Sequence, residues 1–221
     1  LLLGSSEQLS NHDAPIYFSV EECIAGMDLT RTGAPLSPLT EEFELICWNI
    51  QKGSNTGWKQ ELKELAQNTQ VVLLQEAIFV EDMKQPREEP LFWSFAPGYE
   101  TKAHSSGVMT LSHMQPNFFC ALENQEPWLR SPKKTSIVQF PLGHEEHSLL
   151  MVNMHAINFT FGVKAFTRQL NEIAPILAAH KGPIVFSGDL NTWRQARKDV
   201  LLPFTSKFGL TEVGLAPDHR S

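Results

Sequence analysis

Apolar residues in this chain fall into short, nearly unbroken runs, and several of the runs end in a polar side chain. Leu45 to Ile50 carries Asn49 near its end, and Val71 to Leu74 leads into Gln75-Glu76. Leu149 to Met154 leads into His155, and Pro183 to Ser187 leads into Gly188-Asp189-Leu190-Asn191. Runs of this length with no polar alternation predict strands covered on both faces. Further strands are predicted over 107–111, 117–122 and 135–140, with hairpin-like spacing. Between them, helices are expected over about 58–68, 163–180 and 194–208. In the first helix Trp58, Leu62, Leu65 and Ala66 share one face. The second contains Pro175 and is expected to break or end there. The stretch 78–104 is polar, contains Pro86, Pro90 and Pro97, and reads as helix and loops. Residues 1–40 are rich in Ser, Pro, Gly and Thr. They read as an N-terminal extension that wraps the domain or is partly disordered, with the main domain over 41–221. Strands mixed with helices and hairpins imply an α+β fold, a two-sheet sandwich with helices outside.

The chemistry sits at the strand ends. Side chains alternate along a strand, so Asp189 and Asn191 are expected on one face. An Asp at the end of a buried strand needs a partner to offset its desolvation. A carboxylate beside an amide suits the orientation of a water next to a phosphate. A hard cation such as Mg²⁺ takes one or two carboxylates, with waters and phosphate oxygens completing its shell. Glu76 is the candidate carboxylate and Asn49 its neutral neighbour. Each has a plainer reading, Asn49 as a turn cap and Glu76 as a strand-end acid paired with a lysine. Taken alone, His155 in an apolar strand reads as a core histidine. Trp193 reads as a packing residue.

Trp48-Asn49-Ile50, Gln75-Glu76-Ala77, Asn153-Met154-His155 and Gly188-Asp189-Leu190-Asn191, in this order, resemble the endonuclease/exonuclease/phosphatase superfamily, the DNase I-like fold. The likeness runs from about Glu44 to Ser221. Ser106 to Ser112, Asn153 to Gly162 and Gly188 to Trp193 resemble a small bacterial branch of it. The resemblance implies a four-layer α/β/β/α sandwich and metal-assisted hydrolysis of a phosphate ester. Glu76 would hold Mg²⁺ (Mn²⁺ as the alternative ion), with Asn49 nearby. Asp189 would orient or deprotonate the attacking water, and Asn191 would donate to the phosphoryl oxygens. His155 would bind the phosphate as a donor or as a cation. Asn153, Asn158 and Arg130 are further candidates for contacting substrate. The superfamily's last motif is an Asp-His pair. Asp218-His219 lies only 30 positions beyond Asp189, before the last strands of such a fold. The expectation is therefore a chain that is incomplete at its C-terminus; the alternative is a shortened loop with Asp218-His219 as the true pair.

Composition narrows the partners. No apolar stretch approaches the roughly 20 residues that span a bilayer. Leu1-Leu2-Leu3 reads as the tail of a signal segment or a vector remnant, and the absence of a visible basic segment disfavours the first. The three cysteines have no metal-ligand spacing; Cys47 and Cys120 read as small core hydrophobes. From that follows a reducing compartment, the bacterial cytoplasm. The net charge is −7, and the longest basic run is Lys133-Lys134. Tight duplex binding rests on neutralised phosphates, so nucleic acid stays one substrate among several. A nuclease or other phosphodiesterase is the first reading. A phosphomonoesterase on a small phosphate or lipid head group is the second, and a non-catalytic scaffold of the same fold the third. Oligomeric state is not readable.

Overall fold

The computed structural model describes residues 8–29, 42–102, 104–142 and 148–214. In chain order the elements are β1 (Ile16–Tyr17), α1 (Val20–Leu29), β2 (Leu45–Asn49), α2 (Trp58–Ala66) and β3 (Val71–Ile78). Then come α3 (Glu81–Lys84), β4 (Phe92–Glu100), β5 (Ser105–Ser112), β6 (Phe118–Gln125) and β7 (Pro132–Pro141). The last four are β8 (Ser148–His155), α4 (Lys164–Ala179), β9 (Ile184–Asp189) and α5 (Gln195–Lys207). One sheet has the order β2-β3-β5-β4 and the other β1-β6-β7-β8-β9. Pairing is parallel for β2/β3, β8/β9 and β1/β6, and antiparallel elsewhere.

The alternation along each strand builds four layers. Val71 and Leu73 of β3 meet Leu149 and Met151 of β8 and Val138 and Phe140 of β7 between the sheets. The intervening Val72 and Leu74 turn out to Trp58, Leu62 and Ala66 of α2. On the other side Leu150, Val152 and Met154 of β8 turn out to Phe166, Leu170 and Ile173 of α4 and Phe204 of α5. This is the expected two-sheet sandwich with helices on both outer faces.

Four sequence expectations are corrected. The stretch 78–104 contains β4, with Trp93, Ser94, Phe95 and Ala96 buried. Its prolines do not forbid this, because Pro97 sits at a register shift against β5, where a ladder bond is already lost. Helix α4 runs through Pro175, because Ile176 and Leu177 beyond it are buried against the sheet. β9 is half-buried along its length, and among the described residues it is the last strand of its sheet. Cys47 is exposed, on the edge strand β2.

The cysteine reading changes most. Cys120 is in the core as expected, but its sulfur is bonded to Cys23 of α1. The three thiols are therefore not all free, and the reducing compartment drawn from them loses its basis. The disulfide fastens the N-terminal segment, which also lies along the outer edge of β4. Phe95 donates its N–H to the Leu9 carbonyl (2.8 Å). Asn11 pairs with Trp93 and Leu91 through both ends of its amide.

His12 belongs to this clasp; its Nε2 lies 2.7 Å from Ser94 Oγ. Burial pushes its pKa down from 6.5 to about 4, with Asp13 opposing. The folded chain keeps this ring neutral while the unfolded chain takes up a proton first. Stability is thus fully present above pH 6.5 and falls as pH drops toward about 4. Urea midpoints across that range are expected to drop, and His12→Gln is expected to flatten the slope.

Candidate active site

The site lies where β2, β3, β8 and β9 end. The inter-sheet row of each strand changes from apolar to polar on the way there. In β8 it runs Leu149, Met151, Asn153, His155, and in β3 it runs Val71, Leu73, Gln75. The parallel registers set Asn49 beside Gln75 and His155 beside Asp189. Across the two sheets, Asn49 Nδ2 donates to Asp189 Oδ2 at 2.8 Å. Asn49 Oδ1 accepts from the Gln51 N–H at 3.0 Å. Its amide is thus held to orient Asp189, a closer tie than the expected place beside Glu76.

Two backbone features aim the carboxylates. Alternation alone sends Glu76 outward with Val72 and Leu74. A register shift against β5 between Leu74 and Ala77 interrupts it, and Glu76 takes φ +50°. Such a bulge redirects one side chain at a cost of about 1–3 kcal/mol for the positive φ. Redirected, Glu76 Oε1 lies 3.8 Å from His155 Nε2. At Gly188, φ is +140°, and a Cβ would stand 2.0 Å from the Met154 carbonyl oxygen. Only glycine lets β9 approach β8 this closely, which brings Asp189 Oδ2 to 3.7 Å from the same imidazole nitrogen.

His155 is nearly buried. Its backbone carbonyl accepts from Gln169 Nε2 of α4 at 3.2 Å. Burial first, and the Lys133 cation second, push its pKa down to about 4. That shift favours a neutral ring near pH 7 over the cationic alternative. Lys133 Nζ lies 2.8 Å from His155 Nε2. A lysine ammonium only donates, so Nε2 accepts and the ring proton sits on Nδ1. Lys133 is itself mostly buried, 3.9 Å from Glu126, and burial lowers its pKa. Lys52, Glu76, Tyr99, Lys133, Lys134 and His155 line a pocket of about 50 Å³. The positive charge at the site is therefore lysine, where the sequence reading named His155. Strand β7 begins at Pro132, earlier than the predicted 135–140. Starting the strand there puts Lys133 and Lys134 on opposite faces, which is the signal the reading missed. The Lys134 ammonium, at the pocket's border, pairs with Glu123 at 2.6 Å, so Lys133 is the one tied to His155.

The remaining expected residues divide. Asn191 closes the β9 turn with φ +53°. It lies beyond the end of β9, so strand alternation does not place it. Its N–H donates to Asp189 Oδ1 at 3.2 Å and its Nδ2 to the Ala156 carbonyl at 3.1 Å. It stands at the site and braces it. Asn153 is a correction: it is wholly buried between the sheets. It accepts from Gln75 Nε2 at 2.6 Å and donates to the Met109 carbonyl at 3.0 Å. All its polar reach is used below the pocket, so it cannot meet substrate. Asn158 Oδ1 accepts from Trp193 Nε1 at 3.1 Å, which makes it a loop tie. Arg130 is exposed in the turn between β6 and β7, with φ +49°. Asp218-His219 lies outside the described residues.

Among the described residues no three His, Cys, Asp or Glu side chains are grouped to hold a metal. Mg²⁺ does not require such a cage, since one carboxylate with waters and phosphate oxygens suffices. Glu76, a partly exposed carboxylate turned into a pocket by a bulge, fits that need.

The model of the Endonuclease/Exonuclease/phosphatase family matches residues 46–208. A UPF0294 protein of Photorhabdus laumondii is 37% identical over 190 residues, which cover 86% of this chain and 73% of its own length. One of Yersinia pseudotuberculosis is 38% identical over 192 residues, covering 86% and 72%. The human Nocturnin catalytic domain with bound sulfate superposes with a TM-score of 0.54, at 16% identity over 78% of this chain and 72% of that one. A mutant beta toxin from Staphylococcus aureus with bound magnesium ions gives 0.54, at 15% identity over 74% and 70%. An endonuclease/exonuclease/phosphatase family protein from Leptotrichia buccalis gives 0.54, at 12% identity over 74% and 73%. At these identities the structures bear on the fold, and it is the same DNase I-like sandwich.

Proposed function

The chain belongs to the Endonuclease/Exonuclease/phosphatase family, and from that premise we propose that it is a Mg²⁺-dependent phosphodiesterase. The observation that carries the reading is the 2.8 Å bond from Asn49 to Asp189, which joins the two sheets at a carboxylate beside His155 and Glu76. A carboxylate fixed by one amide and by the Asn191 N–H is oriented to take a proton from water. Asn191 and the Lys133 ammonium face the phosphoryl oxygens as charge builds there. Neutral His155 accepts a hydrogen bond from the Lys133 ammonium at Nε2 and so holds that cation in the pocket. Glu76 would hold the cation, which when bound would polarise the ester and neutralise developing charge. Mn²⁺ is expected to replace Mg²⁺. The intact polar set argues against a mere scaffold.

No helix of the described residues is long and apolar enough to cross a membrane. The Cys23–Cys120 bond supports an oxidising compartment over the cytoplasm first expected, because glutathione and thioredoxin keep cytosolic thiols reduced.

The deciding assay offers plasmid DNA, RNA, a chromogenic diester and a chromogenic monoester to the full-length protein, with Mg²⁺ or with EDTA. Diester cleavage that EDTA stops is expected. Glu76→Gln is expected to raise the Mg²⁺ concentration for half-maximal rate by about tenfold or more. Cleavage of the monoester alone would move the reading to a phosphatase. No cleavage of any ester by the folded protein would end it.

A further inference from the structure

Three loops border the site, and their surface chemistry does not suit an acidic soluble protein. The β6–β7 turn carries Trp128 and Leu129, 60% and 62% exposed. The loop after His155 carries Phe159 and Phe161, 59% and 80% exposed, and the loop after Asp189 carries Trp193, 52% exposed. They form one rim. The rings of Trp128 and Phe161 meet at 4.3 Å. Trp193 Nε1 donates to Asn158 at 3.1 Å. The buried Glu126 accepts the N–H groups of Asn158 and Phe159 at 3.0 and 3.3 Å. Arg197, also buried, donates to the Ile157 and Leu190 carbonyls. These inward ties satisfy the loops' buried polar groups and leave apolar tips outward.

The rim is also cationic. Its exposed charges are Arg130, Lys164 and Arg194, on a chain whose net charge is −7. The one acid in these loops, Glu126, is 1% exposed and committed to backbone. Tryptophan, phenylalanine and leucine tips with flanking basic residues match the region between lipid head groups and acyl chains. An anionic surface adds attraction for each cation. A single nucleic-acid strand would instead need free ring faces and a basic track. Here Trp128 and Phe161 pack on each other, the Arg194 guanidinium covers Trp193 at 4.1 Å, and Leu129 has no ring to stack.

We infer that the rim of Trp128, Leu129, Phe159, Phe161 and Trp193 docks this protein on an anionic lipid surface. Docked there, the strand-end site faces the phosphate esters of lipid head groups. The docking stands on the rim alone; the head-group ester as substrate rests on the hydrolytic reading above.

The test is sedimentation of the full-length protein with phosphatidylcholine vesicles, with and without phosphatidylserine, at low and high salt. Binding is expected to the anionic vesicles, to weaken with salt, and to shift tryptophan emission to the blue. Leu129→Ser combined with Phe161→Ser is expected to weaken it by about tenfold per side chain, with an unchanged melting temperature. Asp189→Ala is expected to bind as wild type does, so loss of hydrolysis and loss of docking are read separately. Wild-type protein that stays in the supernatant, or a double variant that binds equally well, overturns the inference. So does a single-stranded oligonucleotide that binds through these side chains while vesicles do not. Vesicle binding without hydrolysis of any ester would strike only the catalytic reading.

Discussion

Asp189→Ala is expected to lower kcat/KM on the preferred diester by about a thousandfold or more while leaving the fold in place. The carboxylate is held at both oxygens, Oδ2 by Asn49 at 2.8 Å and Oδ1 by the Asn191 N–H at 3.2 Å. It is only partly buried, so its removal opens no core cavity, and unfolding midpoints are expected to move little. Asn49→Ala removes only the orienting bond, and about ten- to a hundredfold is expected there. Combined, the two changes are expected to cost little more than Asp189→Ala alone, because Asn49 acts through that carboxylate. Steady-state kinetics of the four proteins test this. An Asp189→Ala protein that keeps wild-type kcat/KM would remove the residue from the chemistry. An additive double variant would give Asn49 a separate role.

Replacing Cys23 by Ala is expected to cost about 4.7 kcal/mol of stability, from the loop-closure entropy of the 97-residue separation it closes. For a chain of this size that corresponds to a fall in melting temperature of about 10 °C. The loss is expected to fall on the clasp. α1 rests on β6 through Cys23 and Met27, and the segment before it covers the outer edge of β4. Without the bond the clasp is left to those contacts, the packing of α1 on α4 and the short β1–β6 pairing. Thiol labelling under denaturing, non-reducing conditions checks the premise. One reactive thiol per chain, Cys47, is expected. Three would show that the bond is absent from the native protein and cancel the predicted loss.

Much of this was legible along the chain. Continuous apolar runs announced strands covered on both sides, and β3 and β8 are such strands, buried over nearly their whole length. The polar residues at their ends marked one end of the sandwich, and Asn49, Glu76, His155, Asp189 and Asn191 meet there. Local patterns failed where neighbours decide. β4 hides behind prolines because its burial comes from β5 and the N-terminal clasp, distant in sequence. Asn153 resembled a site residue, yet it sits one step below His155 on the inter-sheet row, where the facing sheet consumes its hydrogen bonds. Lys133 was read only as half of a basic pair, because its tie to His155 joins two different strands.

By itself, then, the sequence determined most of the strands and helices, and which polar residues stand at the ends of the site-bearing strands. That information is carried by periodicity and needs no partner. Only the tertiary structure decided how those caps act on one another. It supplied the bulge that turns Glu76 toward His155 and the bond from Asn49 to Asp189. It likewise paired Cys23 with Cys120 and gathered three separate loops into one apolar, cationic rim. These depend on distances between residues far apart in the chain, which arise only when the two sheets pack face to face.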